Sequence, residues 1–364
     1  MRILVLCMGL LFSDTASAWT LWDAYVARFV QQDGRTIDYA ADDKTTSEGQ
    51  AYTLFFSLVA NDRATFEKVL NWANNNLARG DLGARLPAWS WGRHEGRWEV
   101  IDSNSASDAD LWLAYTLFEA GRLWHVERYE TLGKSLLSRI ERQEVSDLPG
   151  LGPMLLPGPG GFHPDDATWR LNPSYLPFMV LRRFEAVEPG GKWGKIGENA
   201  YRMIRDSSPF HIVPDWVGYR AGQGFIADPV KGDVGSYDAI RVYLWAGMLS
   251  EKDGYRQELL QALDGMRREL RQNLVPPAVL HGGSGEATGI GPVGFSAALL
   301  PYLKVLREEK LLMIQEYRMD WNTVNSLIGA NPIYYDQVLS LFGEGWMEGR
   351  FRFDESGRCL PSWK

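Results

Sequence analysis

Apolar residues recur every three or four positions in about twelve segments between residues 19 and 350, and clean alternation of apolar and polar residues is almost absent. A repeat near 3.6 buries one stripe of a helix, whereas a half-buried strand needs a repeat of two, so the pattern predicts an all-α chain. The segments start near Trp19, Ser47, Arg63, Ser107, Glu127, Pro173, Lys192, Ser236, Tyr255, Pro292, Leu311 and Tyr334, with Gly, Pro, Asn and Asp marking the breaks. No low-complexity linker divides them. Helices in that number along one uninterrupted chain predict a single domain over residues 19–364, six inner and six outer helices closing into an α/α toroid. A two-domain helical bundle is the alternative architecture.

Three long connections, Leu86 to Asn104, Leu151 to Asn172 and Pro209 to Gly235, carry Trp, Arg, Asp and Pro. Loops of that length in a compact protein are usually functional, which predicts a site at one rim of the toroid.

Residues 1–12 join one positive charge to an apolar run too short to span a bilayer, and Ala16-Ser17-Ala18 offers small residues at a cleavage spacing. Residues 1–18 therefore read as a signal peptide, with a membrane anchor as the alternative, and a secreted mature chain starts at Trp19. Cys7 leaves with the leader and Cys359 remains alone, so no intramolecular disulfide is expected. The fold must stand on its core, for which 45% hydrophobic residues are ample. A net charge of −8 without basic clusters argues against nucleic acid and anionic membrane surfaces as partners. The 15 Trp residues can fill a core or offer flat apolar faces to a planar ligand such as a sugar ring.

Thr45-Thr46-Ser47-Glu48-Gly49-Gln50 precedes the apolar run Leu54 to Leu58. Ser47 and Gln50 read as a capping box, which places Glu48 at the first helical position beside Gly49. Glu48 is then either a carboxylate complementing the helix dipole or a reactive acid. The dipole would lower its pKa, so burial or a nearby carboxylate must prevail if it is a general acid. Asp102 to Asp110 runs into the helix Leu111 to Phe118. With Ser107 as the cap, Asp110 can reach back to the helix start, while Asp108 shares a face with Trp112 one turn on. Asp110 is then structural and Asp108 faces a ligand, the alternative being that both only cap.

Gly235-Ser236-Tyr237-Asp238-Ala239-Ile240-Arg241 repeats the theme of a cap followed by a carboxylate in a first turn. Arg241 and the helix start favour the ionised form, which a general base needs, although a surface ion pair has the same spacing. Leu86 to Gly92 and Trp169 to Tyr175 mix loop aromatics with polar groups in a way that suits either sugar recognition or packing. Other chemistry is thinly supported. The five His residues are scattered without a metal-binding spacing, the Gly-rich stretch from Gly282 to Gly294 follows no strand, and no Gly-x-Ser-x-Gly elbow occurs.

These constellations, in this order, resemble glycoside hydrolase family 8, and within it the periplasmic endoglucanases that accompany bacterial cellulose synthase. The resemblance extends over nearly the whole mature chain. It rests on Thr45 to Gln50, Asn61-Asp62-Arg63, Leu86-Pro87-Ala88-Trp89, Asp102 to Asp110, Asn172 to Pro177, Ser236 to Arg241 and Gly291 to Ala298. It implies an (α/α)6 barrel that hydrolyses β-1,4-glucan with inversion. Glu48 matches the proton donor, Asp238 the base, and Asp108 the acidic residue that binds the sugar beside the cleaved bond. Asp108 could also supply the neighbouring charge that Glu48 requires. Arg241 and Tyr175 are assigned to placing the water and Trp91 to supporting the chain. Trp112, Trp169, Arg170, Asn172 and Tyr237 complete the expected substrate contacts.

No metal or cofactor is expected. The expected partner is a β-1,4-glucan chain, with a functional association with a cellulose synthase complex, in the periplasm and without membrane insertion after the leader is removed. The chain stops soon after Cys359, so a cleft gripping soluble or nascent strands without an appended carbohydrate-binding module is expected. The rival readings are the same fold acting on chitosan or xylan, or a noncatalytic glucan-binding subunit of an export assembly.

Overall fold

The computed structural model describes residues 19–321 and 323–364; the expected leader, with Cys7, lies outside the described residues. Thirteen α-helices run through them. They are α1 (Thr20–Phe29), α2 (Ser47–Val59), α3 (Arg63–Asn76), α4 (Ser107–Trp124), α5 (Glu127–Gln143), α6 (Phe178–Val187) and α7 (Trp193–Asp206). Beyond these come α8 (Ala239–Met248), α9 (Arg256–Ala262), α10 (Asp264–Asn273), α11 (Val293–Val305), α12 (Glu309–Trp321) and α13 (Tyr334–Met347). Two starts differ from the sequence expectation. The segment from Tyr255 breaks at Leu263 into α9 and α10. Pro173 opens only a 3-10 turn, because Pro177 forces Leu176 out of helical geometry and α6 begins after it.

The helices sort into two layers by how much of their circumference is apolar. Every residue of α8 is buried, and every residue of α4 except Arg122. A helix hydrophobic all round must sit inside. The helix α5 instead buries Tyr129, Gly133, Leu136, Leu137 and Ile140, a single stripe at helical spacing, and turns its charges outward. Among the inner helices α2 packs on α4, α4 on α6, α6 on α8, α8 on α11 and α11 on α13. Phe342 of α13 closes the ring against Phe55 and Phe56 of α2, with ring centroids 5.7 and 4.5 Å apart. Outside them α3, α5, α7, α9, α12 and α1 each back one inner helix. The expected toroid is therefore present, with α2 and α8 facing each other across it.

Some inner helices touch through glycine. A Cβ on Gly343 of α13 would lie 2.0 Å from the Ala297 carbonyl oxygen of α11, and one on Gly247 of α8 would lie 2.3 Å from the Tyr302 amide nitrogen. Backbone cannot yield at such distances. Gly343→Ala is expected to destabilise the protein by about 3 kcal/mol or more, read by thermal or urea unfolding, since an added methylene in a filled core costs on the order of 1–3 kcal/mol even where side chains can shift. An unfolding midpoint unchanged from wild type would mean that α11 and α13 do not approach so closely.

The long connections are not irregular, which corrects the expectation of almost no strand. The described residues hold six small antiparallel sheets with strands of two to six residues, many of them too short to show alternation in the sequence. Thr45–Thr46 pairs with Ser90–His94, which pairs with Arg97–Asp102. Glu95 and Gly96 both have positive φ and make the tight turn between the last two, the handedness that strand twist favours. Thr168–Leu171, Val217–Arg220 and Gly224–Ala227 form a second sheet, and Val234–Gly235, Val279–His281 and Ala287–Thr288 a third. Each feeds the N-terminal end of an inner helix, so these sheets gather the starts of α2, α4, α6 and α8 at one rim.

Candidate active site

Glu48 lies in the first turn of α2, but the capping residues differ from expectation by one position. Pairing of Thr46 with Ser90 ends the strand there, so Thr46 is the N-cap and its Oγ1 accepts from the Gly49 amide at 3.1 Å. Gln50 is turned away from the helix start, accepting from the Thr36 amide at 2.7 Å and donating to the Gly34 carbonyl. Neither it nor Ser47 caps. Glu48 Oε2 is enclosed without a hydrogen-bond partner. Burial, and after it the charge of Asp108, push the Glu48 carboxyl up to about 8, so the helix dipole loses the contest. A carboxylic acid that keeps its proton at neutral pH can serve as a donor.

Asp108 and Asp110 begin α4 and point to opposite sides, as their spacing requires. Asp108 Oδ2 accepts from Arg241 Nη1 at 2.9 Å. Burial raises its pKa and outweighs that cation. The expected cap is absent, because Ala106 is the N-cap, Ser107 Oγ has no partner, and Asp110 turns inward to Glu144 at the end of α5. Trp112 is also corrected. It shares the Asp108 face, but it has no exposed surface and is packed between Phe55, Tyr52, Phe342 and Trp245, so it is floor and core and cannot stack on a sugar.

Asp238 is the N-cap residue of α8, yet its side chain makes no capping bond. Ser236 does not cap either, since its hydroxyl donates to the Ala278 carbonyl. The task falls to Asp215, whose Oδ1 accepts from the amides of Ser236, Asp238 and Ala239 at 2.7, 3.1 and 2.7 Å. A carboxylate from another segment thus satisfies the helix start and frees Asp238 to face the cleft, where its side chain is 28% exposed. Burial, then the charge of Asp238, raises the Asp215 pKa to about 6. Asp215→Ala is expected to weaken the protein by about 1–2 kcal/mol and to lower kcat by more than tenfold while oligosaccharide affinity changes little. Titration calorimetry with a cello-oligosaccharide beside a turnover assay checks this, and an unchanged kcat would remove Asp215 from the machinery.

Arg241 binds the set together. Its Nη1 donates to Tyr52 and Asp108 and its Nη2 to Ser174 and Asp238, at 2.9, 2.9, 2.9 and 2.6 Å. Asp238 Oδ2 accepts a further bond from Trp216 Nε1 at 3.1 Å. One buried guanidinium therefore spans carboxylates from two inner helices, which its planar fork allows and a lysine could not.

The remaining expected contacts divide. Tyr175 lies by Arg241 and against Trp216, and burial raises its hydroxyl pKa, with Asp108, Glu48 and Asp238 adding to the effect. Tyr237 is 53% exposed beside Phe295 and Tyr335 and lies next to Asp238. Trp91 is half-buried, stacked on Trp98 at 5.3 Å with Arg35 against both rings. Asn172 is buried and holds Ser174, whose amide and hydroxyl both donate to its Oδ1, so it acts behind Arg241. Arg170 is committed to Asp228 and stacks on Trp216, which makes it a buttress. Trp169 is buried and stacked on His163 at 4.5 Å. Sequence reasoning missed Tyr52, Ser174, Asp215, Trp216 and Tyr335. Its signal for Asp215 and Trp216 was only the length of the loop from Pro209 to Gly235.

Among the described residues no group of three or more His, Cys, Asp or Glu side chains is arranged to hold a metal ion, and no helix is long and apolar enough to cross a membrane. The model of glycosyl hydrolases family 8 matches residues 2–349. An endoglucanase of Xanthomonas axonopodis pv. citri is 49% identical over 348 residues, covering 95% of this chain and 90% of that one. One of Escherichia coli K12 is 44% identical, covering 96% and 93%. The crystal structure of endo-1,4-D-glucanase from Vibrio fischeri superimposes with a TM-score of 0.87 at 39% identity, covering 95% of this chain and 99% of that one. With a ring of inner and outer helices and the carboxyl groups of Glu48, Asp108 and Asp238 at the starts of α2, α4 and α8, this chain belongs to glycosyl hydrolase family 8 and has its (α/α)6 barrel.

Proposed function

We propose that the protein is an endoglucanase that hydrolyses internal β-1,4 bonds of a glucan with inversion at the anomeric carbon. The observation that carries this is the contrast between two carboxyl groups on facing helices. Glu48 on α2 is held protonated near neutral pH by burial and Asp108. Asp238 on α8 has its oxygens occupied by Arg241 and Trp216, groups that can only donate, and stays partly open to solvent. Protonation of the glycosidic oxygen by Glu48 and removal of a proton from water by Asp238 then occur on opposite faces of the sugar ring, as inversion requires. Asp108 grips the sugar beside the cleaved bond, and Tyr175 with Arg241 places the water.

The relatives named endoglucanase support the reaction class. The leader-like segment at residues 1–18 supports export to the periplasm, and the resemblance to endoglucanases accompanying cellulose synthase supports action on nascent cellulose during its secretion. The test is incubation with cellopentaose and carboxymethylcellulose, following viscosity and the anomeric form of the first products by NMR. A rapid fall in viscosity with α-anomers first is expected. First products in the β form would overturn inversion, and cleavage of chitosan or xylan in preference to glucan would reassign the polymer.

A further inference from the structure

Behind Asp108 lie two carboxyl groups that the reaction does not use. Asp110 in the first turn of α4 and Glu144 at the C-terminal end of α5 have no exposed surface, and their carboxyl groups meet within hydrogen-bonding range. No Arg, Lys or His pairs with either among the described residues, which is unusual for buried acids. Among the described residues the one donor to the pair is Ser105, whose hydroxyl reaches Glu144 Oε1 at 2.6 Å. Both oxygens of Asp110 and Oε2 of Glu144 otherwise lack a donor. Two ionised carboxylates cannot face each other in such a place, and one proton between them gives both a partner.

We propose that Asp110 and Glu144 form a proton-sharing carboxyl pair that ties the first turn of α4 to the end of α5 and thereby seats Asp108 against Arg241. The two are positioning residues. The ground on which they act is tightly packed: the Ser107 amide donates to the Pro157 carbonyl and the Leu156 amide to the Glu144 carbonyl, so the start of α4 and the end of α5 share one loop. The charged group facing the pair is Asp108 from α4, and Ser105 also lines a cavity of about 300 Å³ whose other lining residues include Arg79 and Arg85. Loss of that proton sets three negative charges, on Asp108, Asp110 and Glu144, around one helix start and loosens the turn that carries Asp108.

Burial raises the pKa of both acids, that of Glu144 to about 8. A folded-state pKa above the unfolded value makes stability fall as pH climbs from the unfolded value through the folded one, here between about 4.5 and 8. The test compares unfolding free energy against pH for Asp110→Asn and Glu144→Gln with their parent. Both are built on Glu48→Gln, which removes the other acid titrating near 8. Each amide supplies a permanent donor in place of the shared proton, so the slope of stability against pH over that window is expected to shrink by about one proton. A slope equal to the parent's would overturn the shared proton.

In the active enzyme, Asp110→Ala is expected to lose about a hundredfold in kcat through displacement of Asp108, and Asp110→Asn to recover most of that loss. Equal rates in the two variants would overturn the positioning role, and if the alanine variant does not fold the slopes decide. The inference rests on the acid–base reading of Glu48 and Asp238, but the slopes need no turnover. Failure of that reading, seen as activity in Glu48→Gln, therefore leaves them standing.

Discussion

Glu48→Gln is expected to fold, to hold a cello-oligosaccharide and to turn over roughly 10²–10⁴-fold more slowly than wild type, the range over which a positioned general acid acts. The amide fills the same enclosed space as the carboxyl at the start of α2, where Oε2 has no partner to lose. What disappears is the proton. The same variant reports on pH. Because burial and Asp108 raise the Glu48 pKa from 4.5 to about 8, its contribution to stability is fully present below pH 4.5 and is lost as pH rises through 8. Glu48→Gln is therefore expected to resemble wild type in stability at pH 4 and to exceed it, on the order of a few kcal/mol, at pH 8. In the wild-type enzyme kcat/KM is expected to fall above about pH 8, as the acid loses its proton. Wild-type rates in Glu48→Gln, or a stability gap that does not grow with pH, would sink the assignment.

Arg241→Met is the most damaging single change expected in the site. It deletes four hydrogen bonds and leaves Asp108, which is wholly buried, without its cation. Removing one partner of a buried ion pair costs about 3–5 kcal/mol, because the other charge stays in a medium that cannot solvate it. Turnover falls with it, since Asp238 loses the group that fixes its orientation. Arg241→Lys restores the charge but reaches only one carboxylate at a time, so it is expected to recover part of the stability and little of the rate. Urea unfolding beside kcat/KM for both variants checks this. Full recovery of the rate by lysine would show that charge matters there and the planar bridge does not.

The helical layers were legible because burial writes a period into sequence. The run of α8, apolar but for Arg241, and the stripe of α5 differ by eye, and the first belongs inside. Glu48, Asp108 and Asp238 each sit beside a helix start, as their local motifs predicted, but those motifs left capping and ion-pair readings open, and it was the resemblance to family 8 that singled the three out. The capping assignments built on those motifs failed for a common reason. At α2 a strand pairing shifted the cap to Thr46, and at α8 the amides found Asp215 from another segment, while at α4 Asp110 had a buried partner on α5. Local rules name the groups that can cap, and competition among distant groups chooses the one that does. The small sheets were missed because many of their strands have only two or three residues, too few for alternation to be read.

The sequence by itself determined the all-helical ring and the residues Glu48, Asp108 and Asp238 at the heads of three helices. Tertiary structure alone decided their chemical states and neighbours. Whether Glu48 holds a proton depends on enclosure and on Asp108, and whether Asp108 and Asp238 stay fixed depends on Arg241, which is 133 residues from Asp108 in the chain. It also sent Trp112 to the core and Asp215 to the helix start. Protonation and orientation are set by desolvation and by charges a few ångströms away in space, and nothing in the spacing of residues along a chain records those distances.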